Sequence, residues 1–85
     1  MIGKTHRRFW NYFEALPVPV QKLAREKYAL WKRDPYHSSL RFEERRHGIC
    51  VVRIGIHHRA LGLRDGDIVA WFWIGTHEEY NRFRF

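Results

Sequence analysis

Ile68-Val-Ala-Trp-Phe-Trp-Ile74 is an unbroken run of seven apolar residues, entered through Asp65-Gly66-Asp67 and left through Gly75-Thr76-His77. A run this short, rich in β-branched and aromatic residues and bounded by turn formers, predicts a strand buried on both faces. In a chain of 85 residues such a strand belongs inside a sheet with cover on each side. Trp71 and Trp73, two positions apart, are expected on one side of it, facing helices. The chain then turns polar, through His77, Glu78, Glu79, Tyr80, Asn81 and Arg82. The most apolar strand therefore delivers its end into the densest group of titratable side chains.

Three more strand candidates lie upstream. Leu40 and Phe42 alternate with Arg41 and Glu43, the pattern of a half-buried strand. After a charged turn, Glu44 to Gly48, Cys50, Val52, Ile54 and Ile56 point one way and Val51, Arg53 and Gly55 the other. The chain reverses near His57-His58 and returns through Arg59-Ala-Leu-Gly-Leu63; Asp65-Gly66 is the hairpin signal into the central strand.

The first third is helical instead. Thr5 suits an N-cap for a helix carrying Phe9, Tyr12, Phe13 and Leu16 at i, i+3, i+4 and i+7. His6, Arg7 and Arg8 crowd its first turn, where the helix dipole disfavours positive charge and invites an anion. Leu16-Pro-Val-Pro19 stops that helix and starts a second, which shows Val20, Leu23, Ala24, Tyr28 and Trp31 on one face and ends at Asp34-Pro35. Met1 to Lys4 fit either a short strand or a loose end, and Glu78 to Phe85 either a short helix or a frayed tail. The expected fold is α+β, an N-terminal helical hairpin packed on a small twisted antiparallel sheet of three to four strands.

Composition narrows the function classes. One small domain, residues 1–85, is the expected organisation. With 16 Lys and Arg against 9 Asp and Glu the net charge is +7, which favours an anionic partner, nucleic acid or an acidic protein segment. Cys50 is the only cysteine, so no disulfide framework is expected, and its apolar surroundings predict an inert buried thiol. The N-terminus lacks an apolar signal core and the longest apolar run is too short for a bilayer, which points to a cytoplasmic chain with no membrane partner. Six histidines raise a metal site, but His57 and His58 are adjacent and would point apart on a strand, and neither His-Glu-x-x-His nor a cysteine pair is present. No cofactor is expected.

Leu16-Pro17, Val20-Gln21, Ala24, Tyr28-Ala-Leu-Trp31, Asp34-Pro35, His37, Ser39-Leu40, Val52-Arg53, Arg59-Ala-Leu-Gly62 and Trp71-Phe-Trp-Ile-Gly-Thr-His77, with Tyr80, resemble a ParE-like branch of the RelE/ParE toxin superfamily, from about Thr5 to about Phe83. These are small toxins of bacterial type II toxin–antitoxin modules. The resemblance implies the same helical hairpin on an antiparallel sheet. It implies one of two activities on that fold: mRNA cleavage, typically on the ribosome, or poisoning of DNA gyrase. A non-catalytic RNA- or protein-binding module is the third reading. The implied partner is a cognate antitoxin, acidic and partly disordered. It would fold onto apolar grooves beside the helices, or onto a sheet edge that the short first segment leaves uncovered.

Metal-independent RNA cleavage needs a base for the 2′-hydroxyl, cations around the phosphorane and an acid for the leaving oxygen. In ribonuclease relatives, arginines on the sheet and a histidine or tyrosine near the C-terminus do this work. By that resemblance the catalytic candidates are His77 as base or acid, Tyr80 as proton donor or stacking platform, and Arg53 and Arg59 as the phosphate clamp. Arg45, Arg46, Arg41 and Lys32 are RNA-binding candidates that position without specifying. Plainer roles exist for each catalytic candidate. His77 can bond a backbone carbonyl, Tyr80 can be core, and Arg53 can pair with Glu43 or Glu44. Glu78 and Glu79 are expected to be solvated, though either can serve as base if His77 does not.

Overall fold

The computed structural model describes residues 1–83. Its elements in order are β1 (Ile2–Thr5), α1 (Arg7–Glu14), α2 (Val18–Arg33), β2 (Glu43–Glu44), β3 (Ile49–Ile54), β4 (His58–Asp65), β5 (Ile68–Thr76) and α3 (His77–Tyr80). The sheet has five strands in the order β1-β5-β4-β3-β2. Four pair antiparallel in sequence. The N-terminal segment is a true strand, parallel to β5, with Ile2 against Ile68 and Thr5 against Trp71. The sheet is thus mixed and wider than the sequence pattern implied, and the edge expected to be open beside β5 is closed along Ile68–Trp71. The C-terminal expectation is met by α3 over its first residues; Arg84 and Phe85 lie outside the described residues.

Both long helices cover one face. On α1, Phe9 and Phe13 are buried, their rings stacked with centroids 6.1 Å apart. Its N-cap is His6, not Thr5: the His6 Nδ1 accepts from the Arg8 N–H at 3.1 Å, while Thr5 belongs to β1 and accepts from the Trp10 indole at 3.2 Å. At the other end the Gln21 side-chain amide donates to the carbonyls of Phe13 (3.2 Å) and Leu16 (3.1 Å), tying the start of α2 to the end of α1. Pro19 sits in the first turn of α2 and Lys32 and Arg33 in its last, as proline geometry and the helix dipole favour. From α2, Trp31 is 1% exposed and meets Trp71 edge-on at 5.2 Å and Phe42 at 5.7 Å. Cys50, Val52, Ile54, Ala60, Val69, Trp71 and Ile74 complete this core from the sheet. Burial raises the Cys50 thiol pKa, as an inert core cysteine requires.

Three local expectations give way to the structure. The Leu40–Glu43 alternation does not make a strand. Leu40 is fully buried in a 3-10 turn and Arg41 turns left-handed (φ 44°), leaving only Glu43–Glu44 to pair with β3. Ile56 is exposed in the β3–β4 turn rather than inward. Trp71 and Trp73 do not share a face: the β4–β5 register slips between Leu61 and Gly62, with Leu61 opposite Trp73 and Gly62 opposite Trp71. Phe72 is the extra residue of this bulge, and each residue after it changes side. Gly62 makes room there, since a Cβ on it would lie 2.5 Å from Val69 Cγ1 and 2.8 Å from Trp71 Cε3. Trp73 joins a second cluster, with Val51 and Leu61, on the face away from α2. Among the described residues no helix is long and apolar enough to cross a membrane.

Candidate functional site

The face of the sheet away from α2 carries Val51 and Leu61, and strand alternation puts Arg53 and Arg59 beside them. The register sets Arg53 directly opposite Arg59, and Arg59 directly opposite Gly75. Like charges facing each other across two strands destabilise a sheet. Arg59 is nonetheless only 9% exposed, its guanidinium anchored on the β3–β4 turn by donation to the carbonyls of His58 (2.8 Å) and Gly55 (3.4 Å). Burial lowers its pKa, and the charges of Arg53 and Arg41 push the same way while Tyr80 opposes them. Arg53 is half-buried, and its Nε has no hydrogen-bond partner among the described residues.

The two acids within reach of Arg53 by sequence are engaged elsewhere. Glu43 pairs with Arg45 at 3.0 Å and Glu44 with Arg64 at 3.5 Å. Among the described residues neither Arg53 nor Arg59 makes an ion pair. Two partly desolvated guanidinium groups without a carboxylate partner among the described residues form a place for an anion, and their planar forks suit phosphate.

The short helix α3 brings the other candidates to this face. Thr76 is its N-cap: the hydroxyl accepts from the Glu79 N–H at 3.1 Å, and the Glu79 carboxylate takes the Thr76 N–H at 2.9 Å, a complete capping box. These bonds hold the Glu79 pKa below the usual carboxylate range. Glu79 is therefore an ionised structural cap, which removes it as a candidate base. Three positions apart on one turn, His77 and Tyr80 stand side by side, ring centroids 6.3 Å apart. His77 is exposed, and its N–H donates to the His57 carbonyl at 2.7 Å, so its backbone is tied and its ring is left in solvent. Tyr80 packs on the Val51–Leu61–Trp73 cluster. Gly75 keeps this corner open, since a Cβ there would lie 2.5 Å from Trp73 Cζ2 and 2.9 Å from Glu79 Oε1. His58 is half-buried beside it; burial lowers its pKa, helped by His57 and opposed by Glu79.

The structure thus gathers Arg53, Arg59, Tyr80 and His77 at one end of one face, with the charge of Arg41 reaching Arg59. The remaining RNA-binding candidates lie apart. Arg45 and Arg46 sit at the turn before Ile49, four residues of β3 and roughly 13 Å from Arg53. Lys32 stands 5.7 Å over the Tyr28 ring on the helical layer, across the sheet. His57 is in a turn and His58 on a strand, and among the described residues no group of His, Cys, Asp or Glu is arranged to hold a metal. Sequence reasoning missed two features of the corner. The Thr76/Glu79 capping box was legible as Thr-x-x-Glu, and the reversal of Trp73 had no local signal.

A family model described as the ParE-like toxin domain matches residues 19–82. No curated protein matches the chain by sequence. Solved structures resemble it in fold at low identity. The YoeB/ParE toxin from Agrobacterium tumefaciens is 16% identical, with 91% of this chain and 99% of that one covered and a TM-score of 0.68. The toxin–antitoxin complex RelBE2 from Mycobacterium tuberculosis gives 16% identity, 89% and 96% coverage and a TM-score of 0.71. The archaeal RelE–RelB complex from Pyrococcus horikoshii gives 12% identity, 88% and 92% coverage and a TM-score of 0.68.

Proposed function

The chain belongs to the ParE-like toxin domains, and from that premise we propose that this toxin of a toxin–antitoxin system stops growth by cutting mRNA on the open sheet face that carries Arg53 and Arg59. The observation that carries the reading is this arginine pair, opposed across two strands, partly buried and without a carboxylate partner among the described residues. A sheet tolerates that repulsion where an anion offsets it, and the scissile phosphate is that anion.

The residues at the corner fit metal-free cleavage. Arg53 and Arg59 hold the phosphate and stabilise the charge that builds on it. His77 takes the proton of the 2′-hydroxyl as its oxygen attacks phosphorus. Tyr80 gives a proton to the departing 5′-oxygen as the P–O bond breaks, leaving a 2′,3′-cyclic phosphate and a free 5′-hydroxyl. Arg41 adds charge to the phosphate clamp; Arg45, Arg46 and Lys32 contribute to long-range attraction.

The partner is a cognate antitoxin, and an acidic segment complements a chain of net charge +7. With β1 closing one edge, its docking place is the apolar cavity of about 250 Å³ lined by Phe9, Phe13 and Ala24, with Lys4, Arg25 and Lys27 also on its wall.

A second reading keeps fold and family but makes DNA gyrase the target, as the ParE-like character of the family model favours. The deciding experiment expresses wild type beside a His77→Ala, Tyr80→Phe double variant and follows translation, mRNA ends and DNA supercoiling separately. Cleaved mRNA with wild type alone supports the ribonuclease. Early loss of supercoiling with translation intact makes gyrase the target and His77 structural.

A further inference from the structure

The reversal of Trp73 has made a groove on the same face. Its walls are Tyr12, Phe72, Trp73 and Phe83, with His6 and Arg8 completing a volume of about 320 Å³. Phe83 meets Trp73 edge-on at 4.9 Å, and Tyr12 lies tilted to it at 6.4 Å. Aromatic walls with basic side chains beside them are how proteins hold single-stranded nucleic acid, since each base has a face to stack. The size is at the low end for ligand sites and suits one nucleotide.

Position argues the same way. Trp73 lies opposite Leu61, two residues along β4 from Arg59, a rise of about 7 Å. The groove therefore begins where the arginine pair ends. The first turn of α1 carries His6, Arg7 and Arg8 and no acidic residue. Because the His6 Nδ1 accepts from the Arg8 N–H at 3.1 Å, the neutral ring carries its proton on Nε2, a donor for a phosphate oxygen.

We propose that this groove is a second nucleotide subsite, in which the base next to the scissile phosphate stacks on the exposed Tyr12 ring, which the buried Trp73 backs, while its outer phosphate meets Arg8 and His6. The proposal rests on the ribonuclease reading, to which it adds the path of the RNA from the arginine pair towards α1. It also gives the crowded positive turn of α1 a purpose.

The test uses the full chain and a fluorescent 2′-O-methyl RNA hexanucleotide, which cannot be cut because its 2′-oxygens are blocked. Affinity is read by anisotropy at several salt concentrations. Tyr12→Ala is expected to weaken binding about 5- to 100-fold. Arg8→Ala, a surface change that spares the core, is expected to weaken binding and to reduce the salt slope by about 0.7. Lys22→Ala on the far side of α2 controls for lost charge and leaves affinity unchanged. If wild type binds the hexanucleotide and cleaves mRNA but Tyr12→Ala and Arg8→Ala bind as well as wild type, the subsite is refuted and the ribonuclease reading survives. Unchanged RNA affinity with weakened antitoxin binding assigns the groove to the protein partner and also overturns the proposal. A wild-type chain that neither binds nor cleaves RNA removes both.

Discussion

On the ribonuclease reading, Arg53 and Arg59 trade stability for function at the scale of single residues. Their opposition across β3 and β4 costs the empty sheet about 0.5 kcal/mol, in the range of unfavourable cross-strand pairs. Arg53→Met keeps the length of the side chain and removes the repulsion, so the melting temperature should rise by roughly 2–4 °C. The same change removes half of the proposed phosphate clamp and, on that reading, should slow mRNA cleavage at least 100-fold. Thermal unfolding and a single-turnover cleavage assay check the two halves separately. A variant that loses both stability and activity would make Arg53 structural. This pair was legible in the sequence because alternation and a short reversal near His57 put both side chains on one face. Trp73 was not legible, because a bulge inside an unbroken run of apolar residues breaks no pattern that local reading can detect. Arg41 is readable as a basic residue on a polar stretch, but its left-handed backbone at the end of a 3-10 turn, φ 44°, leaves no trace in the alternating pattern around it.

Among the elements, α3 carries the most of the proposed site for its length. Four residues cannot hold a helix by propensity, so the Thr76/Glu79 capping box holds it. Thr76→Ala should cost about 1 kcal/mol and let the turn fray, separating His77 from Tyr80. Faster hydrogen exchange at residues 77–80 together with reduced cleavage is the expected result. The corner should also weaken in acid, for two reasons with the same sign. Burial holds the His58 pKa down in the fold, so its contribution is full above about pH 6.5 and declines as pH falls through that unfolded value, where the unfolded chain takes up the proton first. The Glu79 carboxyl is held low by Thr76, so its contribution is full above about pH 4.3 and is lost as pH falls through the folded value. Melting temperature should therefore drop between pH 7 and 5, and less so in His58→Gln. The long helices and the β3–β5 meander were readable from period and turn residues. β1 was not, because four residues hold no period and their partner lies at the other end of the chain.

Across the whole molecule, β1 decides how the sheet meets its surroundings. Ile2–Thr5 cover β5 from Ile68 to Trp71, and beyond Trp71 the flank of β5 meets α1. Removing residues 1–5 should bare a flat apolar edge and give a chain that aggregates in size-exclusion chromatography, while a Lys4→Ala chain elutes as the unmodified chain does. The positive charge belongs to this scale too, since +7 distributed over 85 residues draws the chain to polyanions before any residue selects among them. The parallel pairing of β1 with β5 also sets the pace of folding. It joins Ile2 to Ile68, residues far apart in sequence, so the entropy of closing that long loop is spent before the pairing gives anything back. The β3–β5 meander, whose neighbours are linked by short turns, is therefore expected to form first, and the cover of the β5 edge is the slow, late step of the sheet.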